Sequence, residues 1–364
     1  MPAKSGAEFH ADSHARFLIS RGHDVSIFTR KKYFFTKAHE NWNGIDLVRL
    51  HGGFRWSEVT LRLLTTHRDF DAFYIIGVPK FAVWAVKAAH LLKKPVTMCL
   101  TINEEIFSDA NNWRTKIFKT CDHFVAISNE IKRGLSNFVD ENKIVRIPQG
   151  IDTRKFPKFD ENHRRELKKS FGIDPESKVV LFLARISLRK GVDTLQKVWT
   201  QIHEKMPSAK LFIVGGGFSD LIEQLKNFSA NVDNSVVLTG EIDDPAEFYQ
   251  MSDVYFFPSR GEGLPTSLME AMSSGLPAVV SNIGGNEDLI FDYENGFRIE
   301  TENVDGYVEK IIELLSDDEL RLKLGNNAAE FVRKYCDFEK IIPDFEDVLA
   351  NENVHDADLF TFTH

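Results

Sequence analysis

The sequence predicts an α/β protein of two domains, each built on a parallel sheet. Three observations carry this. The chain has 364 residues, more than one ordinary hydrophobic core holds and a usual length for two. Short runs rich in Val, Ile, Leu and Phe alternate with segments of helical periodicity along its whole length, the pattern of strand–helix–strand units. Charge also divides it. Residues 1–159 carry 25 Lys and Arg against 16 Asp and Glu, a balance of +9, whereas residues 160–364 balance at −18, as expected of halves with different partners.

In the first half the predicted strands are Val25–Thr29, Ile45–Leu50, Ala72–Gly77, Val96–Leu100 and Phe124–Ser128. Ile144–Asp152 closes that half with turn residues, and the polar stretch 153–165, which holds Pro157, reads as a linker. In the second half strands are predicted at Val179–Ala184, Ala209–Gly215, Val236–Thr239, Val254–Pro258 and Ala278–Ser281. Helices are predicted near 191–206, 218–230 and 303–335, with a last one near 338–350. The tail Asn351–His364 is polar with scattered Phe and is expected to be loosely held.

Composition excludes several classes. The hydrophobic fraction of 43% suits a globular protein, and no apolar run reaches the length of a membrane span. Met1-Pro2-Ala3-Lys4-Ser5-Gly6 has no apolar leader core. Cys99, Cys121 and Cys336 match no zinc or disulfide pattern, which suggests buried thiols in a reducing, cytoplasmic compartment. The twelve histidines show no ligand spacing, so no metal and no cofactor is expected. The basic half carries no nucleic-acid recognition motif, and no nucleic-acid partner is expected.

The most informative stretch is Arg260-Gly-Glu-Gly-Leu-Pro-Thr-Ser-Leu-Met-Glu270. Pro265 suits the first position of a helix, and Gly275 followed by Pro277 ends it. The amides of Thr266, Ser267 and Leu268 then lie at a helix start, which attracts phosphate. Glu262 falls in the loop before this helix and Glu270 two turns in, so a phosphate there stands between two acceptors for hydroxyls. The alternative is an amphipathic helix with two surface glutamates. Its setting favours the first reading: strands Asp253–Pro258 and Leu276–Ser281 flank it, and Asn282–Ile290 turns through two glycines.

This run resembles the donor-binding signature of the retaining glycosyltransferases of family 4, which have the GT-B fold. The resemblance extends over nearly all of the chain and is strongest from about residue 121 to 335. It implies two Rossmann-like domains facing a cleft: an acceptor domain over 1–155, a nucleotide-sugar donor domain over 156–336, and a C-terminal helix over 337–364 that returns to the first. It implies a sugar transferred with retention from a UDP- or GDP-sugar to a hydroxyl, on a lipid-linked acceptor or a growing glycan. Arg185 and Lys190, in Arg185-Ile-Ser-Leu-Arg-Lys190-Gly, match the family's cationic pair. Fixed cations there oppose the charge that grows on a departing diphosphate. The loop of Gly215 and Gly217 would line the nucleotide cleft, and the main chain at Ile242 would hold the base. Glu270 would bind the ribose, while Glu262 and the backbone of Gly263 and Leu264 would face the donor sugar.

Two departures from the family's pattern stand out. The chain starts within the family's first glycine-rich loop, reduced here to Ser5-Gly6, so the strand that normally precedes it is missing; Gly6 would approach the diphosphate or acceptor. Where the family often has a histidine, the chain reads Leu100-Thr-Ile-Asn-Glu-Glu105, with Asn103 or Glu104 as substitute hydroxyl-binding groups. Asp356-Ala-Asp358 imitates a metal motif of another glycosyltransferase fold without its preceding strand. Three segments mix cations with aromatics, Arg30–Lys37, His51–Trp56 and Asn112–Lys119, which suits peripheral contact with the inner face of an anionic membrane; the alternative is core aromatics with solvated cationic rims. Two rival functions are a nucleotide-sugar epimerase of the same fold and a non-catalytic nucleotide-sugar-binding protein.

Overall fold

The computed structural model of the chain describes residues 6–30, 37–50, 57–101 and 113–351. Asn103, Glu104, the segment His51–Trp56, most of Arg30–Lys37 and the Asp356–Asp358 motif lie outside them. The chain divides into two compact units, residues 1–149 with 338–364 and residues 150–337.

The first unit opens with α1 (Gly6–Ser20), β1 (Ser26–Arg30), β2 (His39–Trp42) and β3 (Ile45–Leu50). Gly6 is the first residue of a helix here, not part of a loop; the alanine-bearing run Gly6-Ala-Glu-Phe-His-Ala favours helix from that point. β1 runs parallel to β3, and β2 pairs antiparallel to β3. β2 was not predicted, because His-Glu-Asn-Trp has almost no apolar alternation. Its signal was the turn: Asn43 and Gly44 have φ of 51° and 91°, the backbone of a two-residue hairpin loop that Asn-Gly favours.

Then follow α2 (Ser57–Thr65), β4 (Phe73–Ile76), α3 (Ala82–Leu91), β5 (Val96–Leu100), α4 (Trp113–Phe118), β6 (His123–Ala126), α5 (Asn129–Ser136) and β7 (Ile144–Arg146). β4 to β7 form a separate parallel sheet in that order. β5 is buried along its whole length, which explains its uninterrupted apolar run. The stretch 144–152, predicted as turn, begins as strand β7 because Ile144 and Val145 bury their side chains beside β6. All three cysteines are free and buried. In α4, Ile117 and Phe118 are 5% and 0% exposed, so these two belong to the core and not to a membrane face.

The second unit begins at Gly150, ahead of the predicted linker, which falls within it. Ile151 donates its amide to the carbonyl of Cys336 at 2.9 Å, and α6 (Glu161–Ser170) already covers the linker's last residues. The reason is the buried Lys168, whose ammonium donates to Asp253 Oδ2 at 2.8 Å and to the Ser177 carbonyl at 2.9 Å, fastening the helix to the core. The unit continues with β8 (Val179–Leu183), α7 (Val192–Lys205), β9 (Lys210–Val214), α8 (Ser219–Asn231), β10 (Val236–Gly240), α9 (Ala246–Met251), β11 (Val254–Phe257), α10 (Thr266–Ser273), β12 (Ala278–Ser281), α11 (Gly284–Glu287) and β13 (Gly296–Ile299). The six strands form one sheet in the order β10-β9-β8-β11-β12-β13, with every pair parallel. β13 was missed because its glycine and arginine dilute a four-residue strand.

The predicted helix 303–335 is two helices, α12 (Val304–Ser316) and α13 (Asp318–Tyr335). Asp317 separates them: it ends α12 in an extended conformation and accepts from the Leu320 amide at 2.9 Å as the cap of α13. The last helix, α14 (Phe338–Ala350), packs within the first unit, where Phe338 stacks on Phe17 and Phe345 meets His14 and Tyr74.

Candidate functional site

Strand order in the second unit reverses between β8 and β11, whose connections leave in opposite directions along the sheet. Loops that follow two such strands splay apart and leave a crevice at their carboxyl ends. The loop after β8 carries Arg185 and Lys190. The loop after β11 carries Glu262, Gly263, Leu264 and Pro265. The sequence separates them by about seventy residues; the sheet makes them neighbours.

Several bonds join the two loops. Lys190 Nζ lies 2.6 Å from Glu262 Oε1. Arg189 Nε donates to the Gly261 carbonyl at 3.0 Å. Arg260 donates to the Leu188 carbonyl at 2.5 Å and pairs with both carboxylate oxygens of Asp193 at 2.7 Å. Ser259 Oγ also donates to Glu262 Oε1 at 2.5 Å. Glu262 is thus a carboxylate held in place by a cation and a hydroxyl, with its side chain 9% exposed. Close backbone approach makes this possible. Gly191 has φ of +74°, and a Cβ there would stand 1.9 Å from the Pro258 carbonyl oxygen. Across the next loop, a Cβ on Gly285 would stand 2.0 Å from the Gly263 carbonyl oxygen.

Pro265 caps α10 from outside, with φ −75° and ψ 117°, and is not its first helical residue. The extended ψ of Pro265 lets the chain swing into the helix at Thr266. Glu270 therefore stands just over one turn into the helix, not two. It is no surface glutamate. It is buried, accepts from Tyr249 Oη at 2.7 Å, and has its pKa pushed up to about 7, chiefly by burial. Ser267 Oγ lies 2.8 Å from Tyr255 Oη, which also donates to the Leu183 carbonyl at 3.1 Å. Burial, and then the negative charges of Glu270 and Glu262, hold the Tyr255 phenol well above its ordinary pKa, against the Ser267 bond.

The glycine loop follows β9. Gly215, at φ +140°, donates its amide to the Gly240 carbonyl at 2.8 Å, and a Cβ there would stand 2.1 Å from the Ala184 carbonyl oxygen. Gly217 bridges in parallel to Ile186. These contacts bring the ends of β8, β9 and β10 together, and the side chain of Ile242 emerges beyond β10 at 36% exposure. The Arg185 guanidinium lies over the exposed ring of Phe218, 5.4 Å from its centroid. The structure therefore joins Lys190 directly to Glu262 and gives Arg185 a different partner.

Sequence reasoning missed Tyr249, Tyr255, Ser259 and Phe218. Tyr249 and Tyr255 have phenols inside apolar runs, and a buried tyrosine needs a partner for its hydroxyl; that was the available signal. The Arg260–Asp193 pair had none.

A doubly wound parallel sheet with fixed charges at its switch point is the class of fold to which the comparisons also lead. The model for glycosyl transferases group 1 matches residues 163–331, and that for glycosyltransferase family 4 matches residues 4–155. The N-acetyl-alpha-D-glucosaminyl L-malate synthase of Bacillus anthracis is 24% identical over 95% of this chain and 94% of its own. The UDP-Gal:alpha-D-GlcNAc-diphosphoundecaprenol alpha-1,3-galactosyltransferase of Escherichia coli is 32% identical over 52% of this chain and 49% of its own. Among solved structures, Anabaena HepE in complex with UDP and glucose superposes with a TM-score of 0.79 at 16% identity, covering 96% of this chain and 97% of its own. The chain belongs to the family 4 glycosyltransferases and has the GT-B fold. It is a glycosyltransferase.

Proposed function

We propose that the protein moves a sugar, with retention of anomeric configuration, from a UDP- or GDP-sugar to a hydroxyl of a lipid-linked acceptor or glycan. The observation that carries this reading is the Lys190–Glu262 pair beside the mouth of α10, at the switch point. A diphosphate placed there meets the start of α10 and the cations Lys190 and Arg185. Glu262 and Glu270 are acceptors for the hydroxyls of the sugar and the ribose. As the glycosidic bond to the diphosphate breaks, negative charge grows on the leaving phosphate oxygen. Cations fixed beforehand stabilise that charge with little reorganisation. The leaving phosphate oxygen is itself the base that takes the acceptor's proton, and no metal is needed.

A thermal-shift panel of UDP-, GDP- and ADP-sugars tests donor binding: a ligand at 100 times its dissociation constant adds about 2.7 kcal/mol of stability. Product analysis by NMR then reads the anomeric configuration. An inverted product, or no shift with any nucleotide sugar, ends the proposal. Activity unchanged by EDTA is the expected result for the metal. Arg185→Ala is expected to lower kcat by about 10²–10³ if the cation acts on the transition state; unchanged turnover removes it from the mechanism.

The relatives that support a lipid-linked acceptor are named for undecaprenol diphosphate substrates. Peripheral contact of the first unit with an anionic membrane fits such an acceptor, on the cytoplasmic side. Flotation with anionic liposomes at low salt tests it; no association at any lipid ratio refutes it.

A further inference from the structure

Arg260 stands two residues ahead of Glu262, and the protein itself engages every donor of its guanidinium. A guanidinium carries five N–H groups. Nε donates to Glu302 Oε1 at 3.1 Å. Nη1 donates to the Leu188 carbonyl at 2.5 Å and to Asp193 Oδ1 at 2.7 Å. Nη2 donates to Asp193 Oδ2 at 2.7 Å and to Glu302 Oε1 at 2.9 Å. Five bonds use five donors, and two carboxylates outweigh one positive charge. Arg260 thus has neither a free N–H nor net charge to offer a diphosphate.

Its acceptors bracket Lys190. Leu188 lies two residues before it and Asp193 three after, so the turn that carries Lys190 is fastened on both sides. The main chain adds to this. The Arg260 amide donates to the Arg189 carbonyl at 2.8 Å, and Ser259 Oγ reaches the same carbonyl at 3.2 Å. The pairing with Asp193 is bidentate, which fixes direction as well as distance. The same bond is the first cause that holds the Asp193 carboxyl below its ordinary pKa. Glu302 comes from a third connection, between β13 and α12. Its φ of +68° is left-handed, a conformation that residues with a Cβ seldom adopt. Such strain persists where surrounding contacts hold it, and the bond to Arg260 is one of them.

Lys190 is a point charge on a flexible stem, so its place beside Glu262 depends on the turn beneath it. An error of about 1 Å in such a group can cost about 10²-fold in rate. We propose that Arg260 is a positioning residue for sugar transfer, which touches no substrate and acts by locking the Lys190 turn to the Glu262 loop. The inference rests on the reading of Lys190 and Glu262 as donor-site groups. Loosening the lock displaces charges that act as the glycosidic bond breaks. Glu270, proposed for the ribose, keeps its own support from Tyr249. The mark of the lock is therefore a loss of kcat without a loss of nucleotide affinity.

The test uses Arg260→Gln, Arg260→Lys, Asp193→Asn and the double variant Arg260→Gln with Asp193→Asn. Turnover is followed with whichever UDP-, GDP- or ADP-sugar the parent chain consumes, and affinity by calorimetric titration with the matching nucleoside diphosphate. Arg260→Gln and Asp193→Asn are each expected to lower kcat by about 10–100-fold and to change the diphosphate's dissociation constant by less than about threefold. The double variant should lose no more than about threefold beyond Arg260→Gln, because both changes break one contact. Arg260→Lys keeps the charge but cannot span both Asp193 oxygens and the Leu188 carbonyl, so it should stay about as slow as Arg260→Gln. In nucleotide-free protein, amide hydrogen exchange at Lys190, Gly191 and Arg260 should quicken at least about tenfold in Arg260→Gln. Full turnover in Arg260→Lys overturns the proposal, as does a fall in diphosphate affinity that matches the fall in kcat. Unchanged exchange in Arg260→Gln overturns it too. A parent chain that binds no nucleotide sugar would instead sink the donor reading, and the exchange measurement, made without nucleotide, would still decide whether Arg260 holds the turn.

Discussion

Glu270 is where burial and charge compete most openly. Its folded pKa of about 7 lies above the ordinary 4.5, so between those values the folded chain holds a proton that the unfolded chain has released. Stability therefore falls as pH rises through this window, by up to about 3 kcal/mol once the carboxyl is fully ionised. Glu270→Gln removes the penalty and keeps an acceptor for Tyr249. The variant is expected to gain stability over the parent progressively from pH 5 to pH 8, read as the difference in Tm; parallel profiles would mean that the carboxyl does not titrate there. The same residue shows the limit of sequence reading. Spacing placed Glu270 in a helix near a helix start, but not in the core, because Tyr249 comes from α9, some twenty residues away. Lys190 and Glu262 were each legible as charged residues beside glycines. Their direct bond was not, because it depends on β8 and β11 being neighbours.

At the level of elements, the strands were more legible than the turns. Five strands of the second unit and five of the first announce themselves as apolar runs, because parallel strands are covered on both faces. β2 and β13 were hidden by polar or glycine-rich composition, and the break between α12 and α13 by a single capping aspartate. The glycines between elements are the tightest constraints. Gly191 stands at the start of α7, directly after Lys190, in a left-handed conformation and against Pro258. Gly191→Ala is expected to cost about 2–4 kcal/mol, combining backbone strain with overpacking. It should also shift Lys190 away from Glu262. The variant should thus lose both Tm and donor affinity in calorimetric titration; a loss of Tm alone would show that the loop tolerates the movement.

For the whole molecule, the two units differ in how their sheets are completed. Among the described residues, the second has one six-stranded parallel sheet, and the first has sheets of three and four strands. Fewer ladder bonds lower local stability, so scanning calorimetry is expected to resolve two transitions, the first unit melting earlier. UDP or GDP should move only the later one, because the proposed diphosphate contacts lie in residues 185–270. A single transition that moves as one with nucleotide would refute this. Two domains were legible from length, alternation and charge. The split of the first unit into two sheets was not legible, since no residue pattern reports how strands separated in sequence pair.

The polypeptide enters the second unit once and comes back, so residues 150–337 are an insertion within the first unit. During synthesis the later-encoded body can therefore finish folding before the earlier one. The opening strands must wait on the ribosome until Phe338–Ala350 emerges to cover His14, Phe17 and Tyr74. A premature stop near the end of the message would then harm the part of the molecule that was made first.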